Sequence, residues 1–302
     1  MTLDSTGNVI AVDWGTSRFR AYLVDEAGRI RDAVASDDGI SAAAGGDFAL
    51  ILNRNCGRWM TAAPHIPVIM AGMIGSRNGW HEVPYATCPA SPADIASTLR
   101  AVEIAPGRQA YIVPGVSCRN DGVADVMRGE ESLVFGAGSE DGIIVVPGTH
   151  SKWIRMEGGR IVGFQSFLTG ETYGLLRHHS VLRLLAEEPD DARGLERGFK
   201  AADRAGGPLH QAFEARTGVL DGTLKPAEVG PFLSGLLIAT ELRDALALAG
   251  SVATVRLVAD GALAKNYRRA FELRSIATVT VAPDACLAAG LRRILNERKT
   301  AP

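Results

Sequence analysis

The sequence predicts an α/β protein of two domains in which the second repeats the outline of the first. Three observations carry this. The chain has 302 residues, room for two hydrophobic cores. Strand-like and helix-like segments alternate along it. Twice a strand-like run empties into a tight turn of Gly, Thr and Ser: Val9-Ile10-Ala11-Val12-Asp13-Trp14-Gly15-Thr16-Ser17, and Ile143-Ile144-Val145-Val146-Pro147-Gly148-Thr149-His150-Ser151.

Val9 to Asp13 reads as a buried strand, Arg18 to Asp25 as its antiparallel partner and Arg29 to Ala35 as a third, with Glu26-Ala27-Gly28 turning between the last two. Phe48 to Met60 has helical period, Pro67 to Met70 is a short buried strand, Pro92 to Val102 a helix, Ala110 to Val113 a strand and Val123 to Phe135 a helical region. The Gly-rich stretch Gly136 to Gly142 is the expected boundary and hinge, dividing residues 1–138 from 139–302. Beyond it the pattern restarts. Ile143 to Val146, Lys152 to Met156 and Arg160 to Phe167 read as three strands, with Glu157-Gly158-Gly159 as a hairpin turn. Helices follow over Thr172 to Leu185, Asp191 to Ala205, Pro208 to Thr217 and Pro226 to Ala249. Val252 to Val258 is then a strand, Ala262 to Leu273 a helix, Thr278 to Val281 a strand and Asp284 to Glu297 a last helix.

Apolar residues make up 46% and charged residues 22%, the balance of a globular chain. The net charge of −2 supplies no basic field for nucleic acid, so any anion site must be local. Cys56, Cys88, Cys118 and Cys286 form no C-x-x-C pair or zinc-like spacing, which fits a reducing compartment. Met1 to Ser5 lacks a basic, apolar signal region, and the longest apolar stretch, Phe232 to Ala239, is too short for a bilayer of about 30 Å. The expectation is a cytoplasmic protein with neither nucleic acid nor membrane as partner.

A β-branched run ending in small hydroxylated residues presents backbone N–H groups and hydroxyls at the strand end, a concavity suited to phosphate oxygen. Either turn alone also reads as an ordinary connection. Two together point to a polyphosphate and to phosphoryl transfer. No G-x-x-x-x-G-K-S/T, H-E-x-x-H or G-x-S-x-G occurs, and Gly136-Ala137-Gly138 precedes a strand where a dinucleotide turn would follow one. Asp13, ending a buried strand beside the first turn, either holds hydrated Mg²⁺ or initiates the turn through its own backbone. Glu130 and Glu131 form an acidic pair at a helix start, which on composition alone is a dipole-favourable solvated face.

Five blocks give these residues a context: Asp13-Trp14-Gly15-Thr16-Ser17, Met70 to Trp80, Met127-Arg128-Gly129-Glu130-Glu131, Pro147 to Trp153, and Leu233-Ser234-Gly235-Leu236-Leu237. Together, and in this order, they resemble the 2-dehydro-3-deoxygalactonokinase family over nearly the whole chain. More broadly the chain is similar to the sugar kinase, Hsp70 and actin superfamily. The resemblance implies two ribonuclease-H-like (actin-like ATPase) domains with an interdomain cleft, ATP and Mg²⁺ as cofactors, and a sugar acid as small-molecule partner. A homodimer is compatible with it.

Carried over by position, Gly15, Thr16 and Ser17 form a first phosphate segment and Gly148, Thr149 and His150 a second, with Asp13 at the metal. Val258-Ala259-Asp260-Gly261-Ala262 resembles the adenosine segment, although Asp260 stands where the superfamily has its first Gly. Related kinases supply a catalytic Asp where this chain has Met127 to Glu131, which implies Glu130 as base with Glu131 as the alternative. Arg77 and Arg128 are candidates for the acid's carboxylate, since a guanidinium matches it through two parallel bonds; a plain surface arginine is the other reading of each. Asn78, Trp80 and Tyr85 add hydroxyl contacts and a stacking wall, or core in the case of Trp80. Lys152 reads equally as a phosphate neighbour or a strand salt bridge. Two rivals follow from the same residues: a kinase of a related sugar or sugar acid, such as 2-dehydro-3-deoxygluconate or a neutral sugar, and a non-catalytic nucleotide-dependent sensor.

Overall fold

The computed structural model describes residues 7–43, 45–188, 193–250 and 252–300. The β-branched run of the N-terminal block forms β1 (Val9–Trp14), and the chain returns antiparallel as β2 (Phe19–Val24) and β3 (Ile30–Ser36). Helix α1 (Phe48–Ala62) leads to β4 (Val68–Ala71), which lies parallel to β1. After β5 (Ala86–Thr87) and α2 (Pro92–Ser97), β6 (Arg100–Ala105) and β7 (Arg108–Ile112) complete a sheet of order β3-β2-β1-β4-β7-β6. Strands β8 (Val116–Asn120) and β9 (Val123–Met127) pair with β5 in a small separate sheet, and α3 (Glu130–Ala137) follows.

The second half repeats this order. Strands β10 (Gly142–Val146), β11 (Ser151–Glu157) and β12 (Arg160–Phe167) take the places of β1 to β3. Helices α4 (Thr169–His179), α5 (Arg193–Ala202), α6 (Gly207–Leu220) and α7 (Val229–Ala249) precede β13 (Thr254–Val258), α8 (Gly261–Leu273), β14 (Ala277–Val281) and α9 (Pro283–Thr300). The sheet order is β12-β11-β10-β13-β14, the same permutation as β3-β2-β1-β4-β7. No helix among the described residues is long and apolar enough to cross a membrane.

Contacts gather the chain into two units: Met1–Ile144 with Ile154–Phe164 and Val281–Pro302, and Val145–Trp153 with Gln165–Thr280. In the first, alternate residues of β1 (Ile10, Val12, Trp14) pack with Phe19, Leu52, Trp59 and Ile74. Trp14 meets Phe19 edge-on at 4.9 Å between ring centroids. Helix α3 crosses α9 where both are glycine: a Cβ built on Gly290 would lie 1.8 Å from Ser132 O, and one on Gly136 1.7 Å from Cys286 O. That crossing fixes the helix whose first turn carries Glu130 and Glu131. In the second unit α5 packs along α7, and Phe199, Leu233 and Leu236 are buried there.

Three expectations are corrected. Val123 to Phe135 is not one helical region, because Val123–Met127 pairs antiparallel with Val116–Asn120 around an Asp121-Gly122 turn whose φ values are +49° and +83°. The helix from Pro92 stops at Ser97, and the Val102-Glu103-Ile104 alternation serves β6 instead. The helix expected over Thr172 to Leu185 ends at His179, where Ser180 turns extended and its Oγ accepts from Leu182 N. The start of the helix expected from Asp191 lies outside the described residues.

Candidate active site

In the first unit Gly15 N donates to Arg18 O (2.9 Å) and closes a tight turn over the exposed Thr16 and Ser17. The turn is anchored through its carbonyls, since Ile40 N donates to Gly15 O and Ser41 N to Thr16 O. Asp13 lies opposite Arg20 in the strand register. Its Oδ2 accepts from Arg20 Nε (3.1 Å) and Nη2 (2.5 Å). Arg20 also stands 3.6 Å from Asp284, which accepts from Tyr22 OH at 2.6 Å.

The other carboxylate oxygen faces Gly72, just past β4. A Cβ built there would lie 3.2 Å from Asp13 Oδ1 and 2.9 Å from Trp14 O, and φ is +92°. A Cβ on Gly129 would in turn lie 3.3 Å from Gly72 Cα. The ends of β1 and β4 and the start of α3 therefore converge at the carboxyl edge of a parallel strand pair, where α/β folds place their ligands. No three His, Cys, Asp or Glu side chains cluster as a metal cage among the described residues. Hydrated Mg²⁺ needs no cage: one or two carboxylates suffice beside phosphate and water, so Asp13 fits such an ion.

The two adjacent glutamates have different surroundings. Glu131 is wholly buried, its Oε2 accepting from Gly129 N (2.7 Å) and its Oε1 from Ser132 Oγ (3.1 Å). Burial, and then repulsion from Glu130, push its carboxyl up to about 8, against the pull of the backbone N–H groups of Gly129 and Glu131 and of the Ser132 hydroxyl. At neutral pH it holds its proton. Glu130 is half-buried, and its Oε2 accepts from Arg128 N at 3.0 Å.

The guanidinium of Arg128 lies 4.2 Å over the Tyr85 ring and donates through Nη2 to Val83 O (2.9 Å). Its Nε and Nη1 are buried and have no hydrogen-bond partner among the described residues. Two buried donor nitrogens with capacity to spare are what an anion can satisfy. Arg77 and Asn78 stand exposed on the turn that Gly79 N closes onto Ser76 O. Trp80 stacks on Phe48 at 5.8 Å and joins the core of this unit.

In the second unit the turn after β10 leans on the start of α4. Glu171 N donates to Thr149 O (2.9 Å), the Glu171 carboxylate meets His150 Nε2 at 2.6 Å, and a Cβ on Gly170 would lie 2.3 Å from Gly148 O. Lys152 is buried and pairs with no carboxylate among the described residues, so the strand salt bridge is not formed there. Asp260 is exposed and extended before α8, Gly261 follows at φ +55°, and Ala264 N donates to Asp260 O. A cavity of about 510 Å³ is lined by Gly148, Gly170, Ser234, Ala262, Asn266 and Tyr267 among others, which brings Gly148 of the second turn and Ala262 to one concavity.

Sequence reasoning gave no site role to Ser234, Asn266 or Arg20. Ser234 stood in a quoted block without a role, and the Asp13–Arg20 pair follows from the hairpin register once the turn at Gly15 is fixed.

Two sheets of one permutation, each with its first strand ending in a Gly-Thr turn, define the class: two ribonuclease-H-like domains of the actin-like ATPase type. At the level of fold alone, the activator of the 2-hydroxyisocaproyl-CoA dehydratase from Clostridium difficile, solved with ADPNP, superposes with TM-score 0.55 at 12% identity over 97% of this chain and 96% of its own. The particular family is fixed by sequence. Residues 13–294 match the model of 2-keto-3-deoxy-galactonokinase, and the chain belongs to that family of kinases. It is 35% identical over 283 residues to the Rhizobium meliloti (strain 1021) protein named probable 2-dehydro-3-deoxygalactonokinase DgoK1, covering 91% of this chain and 92% of that one. It is 33% identical over 270 residues to the 2-dehydro-3-deoxygalactonokinase of Escherichia coli (strain K12), covering 88% and 90%. A crystal structure from Sinorhizobium meliloti, provisionally named a 2-dehydro-3-deoxygalactonokinase, superposes with TM-score 0.87 at 34% identity over 95% of this chain and 97% of that one.

Glu131 makes stability depend on pH. Its folded value of about 8 exceeds the ordinary 4.5, so the folded chain keeps a proton that the unfolded chain releases. The group's contribution is therefore full below pH 4.5 and declines as pH rises to about 8. Glu131→Gln is expected to remove that decline. Urea midpoints measured across the window for both proteins should diverge in favour of the variant as pH rises; parallel curves would contradict the assignment.

Proposed function

We propose that the chain transfers the γ-phosphoryl group of ATP to the primary hydroxyl of 2-dehydro-3-deoxy-D-galactonate, giving the 6-phosphate in galactonate catabolism, and that it does so in the cytoplasm. The observation that carries the reading is the family match from residue 13 to 294, which spans both strand-end turns and the Arg128 to Glu131 run.

Phosphoryl transfer passes through a loose transition state, so the protein's task is to align donor and acceptor and to neutralise charge. We assign one set of phosphate contacts to Gly15, Thr16 and Ser17, and a second to Gly148, Thr149 and His150 with Lys152. Adenosine is assigned to Asp260, Gly261 and Ala262, with the cavity that Ala262 lines as support. Residues 1–138 thus carry the acceptor site and 139–302 the adenosine site. When bound through Asp13 and the phosphates, Mg²⁺ supplies neutralisation of phosphate charge.

For the sugar acid, the unpartnered Nε and Nη1 of Arg128 support it as the carboxylate's counter-charge, with Arg77 as second cation. Asn78 is assigned a hydroxyl contact, and Tyr85 and Trp80 the apolar wall. Glu130 is the base that takes the primary hydroxyl's proton as the O–P bond forms. The burial of Glu131 and its raised carboxyl support that choice, because a carboxyl that favours its protonated form is a poor proton acceptor.

Coupled ADP release with the two C4 epimers of the keto-deoxy acid tests the reading. A kcat/KM at least about tenfold higher for the galacto epimer, which is about 1.4 kcal/mol of discrimination, is expected. A preference for the gluco epimer would reassign the substrate, and sugar-independent hydrolysis would make the chain a nucleotide sensor.

Glu130→Gln is expected to lower kcat by about 100-fold or more at unchanged KM for ATP. Arg128→Ala should raise KM for the sugar acid by about 30-fold, the ~2 kcal/mol of a charged hydrogen bond. Steady-state kinetics on both variants checks this; near-wild-type turnover in the first, or an unmoved KM in the second, removes the residue from its role.

A further inference from the structure

Glu241 lies on α7 in the second unit, and 2% of it is exposed. No cation among the described residues pairs with it. Its carboxylate is satisfied by three donors from three other elements: Trp153 Nε1 on β11 reaches Oε1 at 2.9 Å, while Tyr267 OH on α8 (2.7 Å) and Thr169 Oγ1 at the start of α4 both reach Oε2. Tyr267 OH has one proton. If that proton goes to Glu241, the 2.9 Å contact with Ser151 is completed by Ser151 Oγ donating to Tyr267 OH.

Each tethered element bears on the nucleotide residues. Ser151 and Trp153 begin β11 directly after Gly148-Thr149-His150. Thr169 precedes Gly170 and Glu171, the residues against which that turn leans. Tyr267 and Thr169 line the cavity of about 510 Å³ together with Gly148 and Ala262. We infer that Glu241 is a positioning residue for the nucleotide: its carboxylate holds β11, α4 and α8 in register, so that the Gly148–His150 turn and the adenosine segment face one cavity. This rests on the reading that the cavity takes the adenosine of ATP.

A role in stability alone does not account for the choice of residue. A buried charge costs desolvation, and well-packed apolar groups replace such charges at little cost or with gain. What an apolar residue cannot do is accept three directed hydrogen bonds at once. Burial raises the Glu241 carboxyl, and hydrogen bonds from Thr169, Trp153, Tyr267 and Ser151 oppose that rise. Protonation would turn an acceptor into a donor facing Thr169 and Tyr267, and one of those hydroxyls would have to reverse its role.

The test is Mg·ADP binding by calorimetry and steady-state kinetics on the full chain, for wild type, Glu241→Gln and Tyr267→Phe, with thermal melts alongside. Glu241→Gln keeps the volume and sets an amide N–H against the hydroxyl donors. It is expected to weaken Mg·ADP about tenfold and raise KM for ATP in parallel, leaving KM for the sugar acid within twofold. Tyr267→Phe, which removes the α8 donor to Glu241 together with the contact to Ser151, should weaken Mg·ADP about threefold, and it decides the matter if Glu241→Gln does not fold. Mg·ADP affinity within twofold of wild type in the folded variants overturns the inference, and so does an equal rise in both KM values, the mark of general loosening. Absence of Mg·ADP binding in wild type overturns the ATP reading as well. Binding in wild type without phosphorylation of the sugar acid overturns only the substrate.

Discussion

The close approach of three backbone segments at Gly72 is the constraint on which the first half of the site depends. Residues 13, 72 and 129 are far apart in sequence, yet the space a Cβ at Gly72 would take is bounded by Asp13 Oδ1 at 3.2 Å and Trp14 O at 2.9 Å, while Gly129 backs onto Gly72 from the start of α3. A side chain there would have to displace backbone, which close-packed interiors resist. With glycine, the parallel pairing of β1 and β4 delivers the first turn, and the α3–α9 crossing delivers Glu130, to the same strand edge.

Around that edge, environment divides like residues into unlike roles. Asp13 is paired with Arg20, Glu131 is buried with its carboxyl pushed up, and Glu130 lies between solvent and core. The second unit shows the complementary case. Among the described residues its buried Glu241 has no cation but a full set of donors, whereas Arg128 in the first unit has no anion and two unused nitrogens. A buried polar group is ordinarily satisfied, so the two differ in hydrogen-bonding capacity left over.

Much of this was readable from residues alone. Both three-stranded meanders announce themselves, because β-branched runs of buried strand leave little else to fit them. The β8–β9 hairpin went unread because Val123, Val126, Met127 and Val134 also fit helical spacing. The Asp121-Gly122 turn, with both φ values positive, was the stronger signal. The glutamate pair was visible as a pair, but neighbours on a helix point about 100° apart, and only the packing of α9 decides which one faces inward. Glu241 is one acid on a long apolar helix, and its three partners come from elements 72 to 88 residues away or, for Tyr267, 26 residues on, distances no local pattern encodes. Arg20 was recoverable, since an opposite charge directly across a tight hairpin is fixed by the turn.

The most direct measurement is a crystal structure of the chain with Mg²⁺, a non-hydrolysable ATP analogue and 2-dehydro-3-deoxy-D-galactonate. The account predicts the acid's carboxylate on the Nε and Nη1 edge of Arg128 and its primary hydroxyl within about 3 Å of the Glu130 carboxylate, in hydrogen-bond reach of the base. A bound acid whose primary hydroxyl lies away from Glu130, with Arg128 still unpartnered, would contradict it.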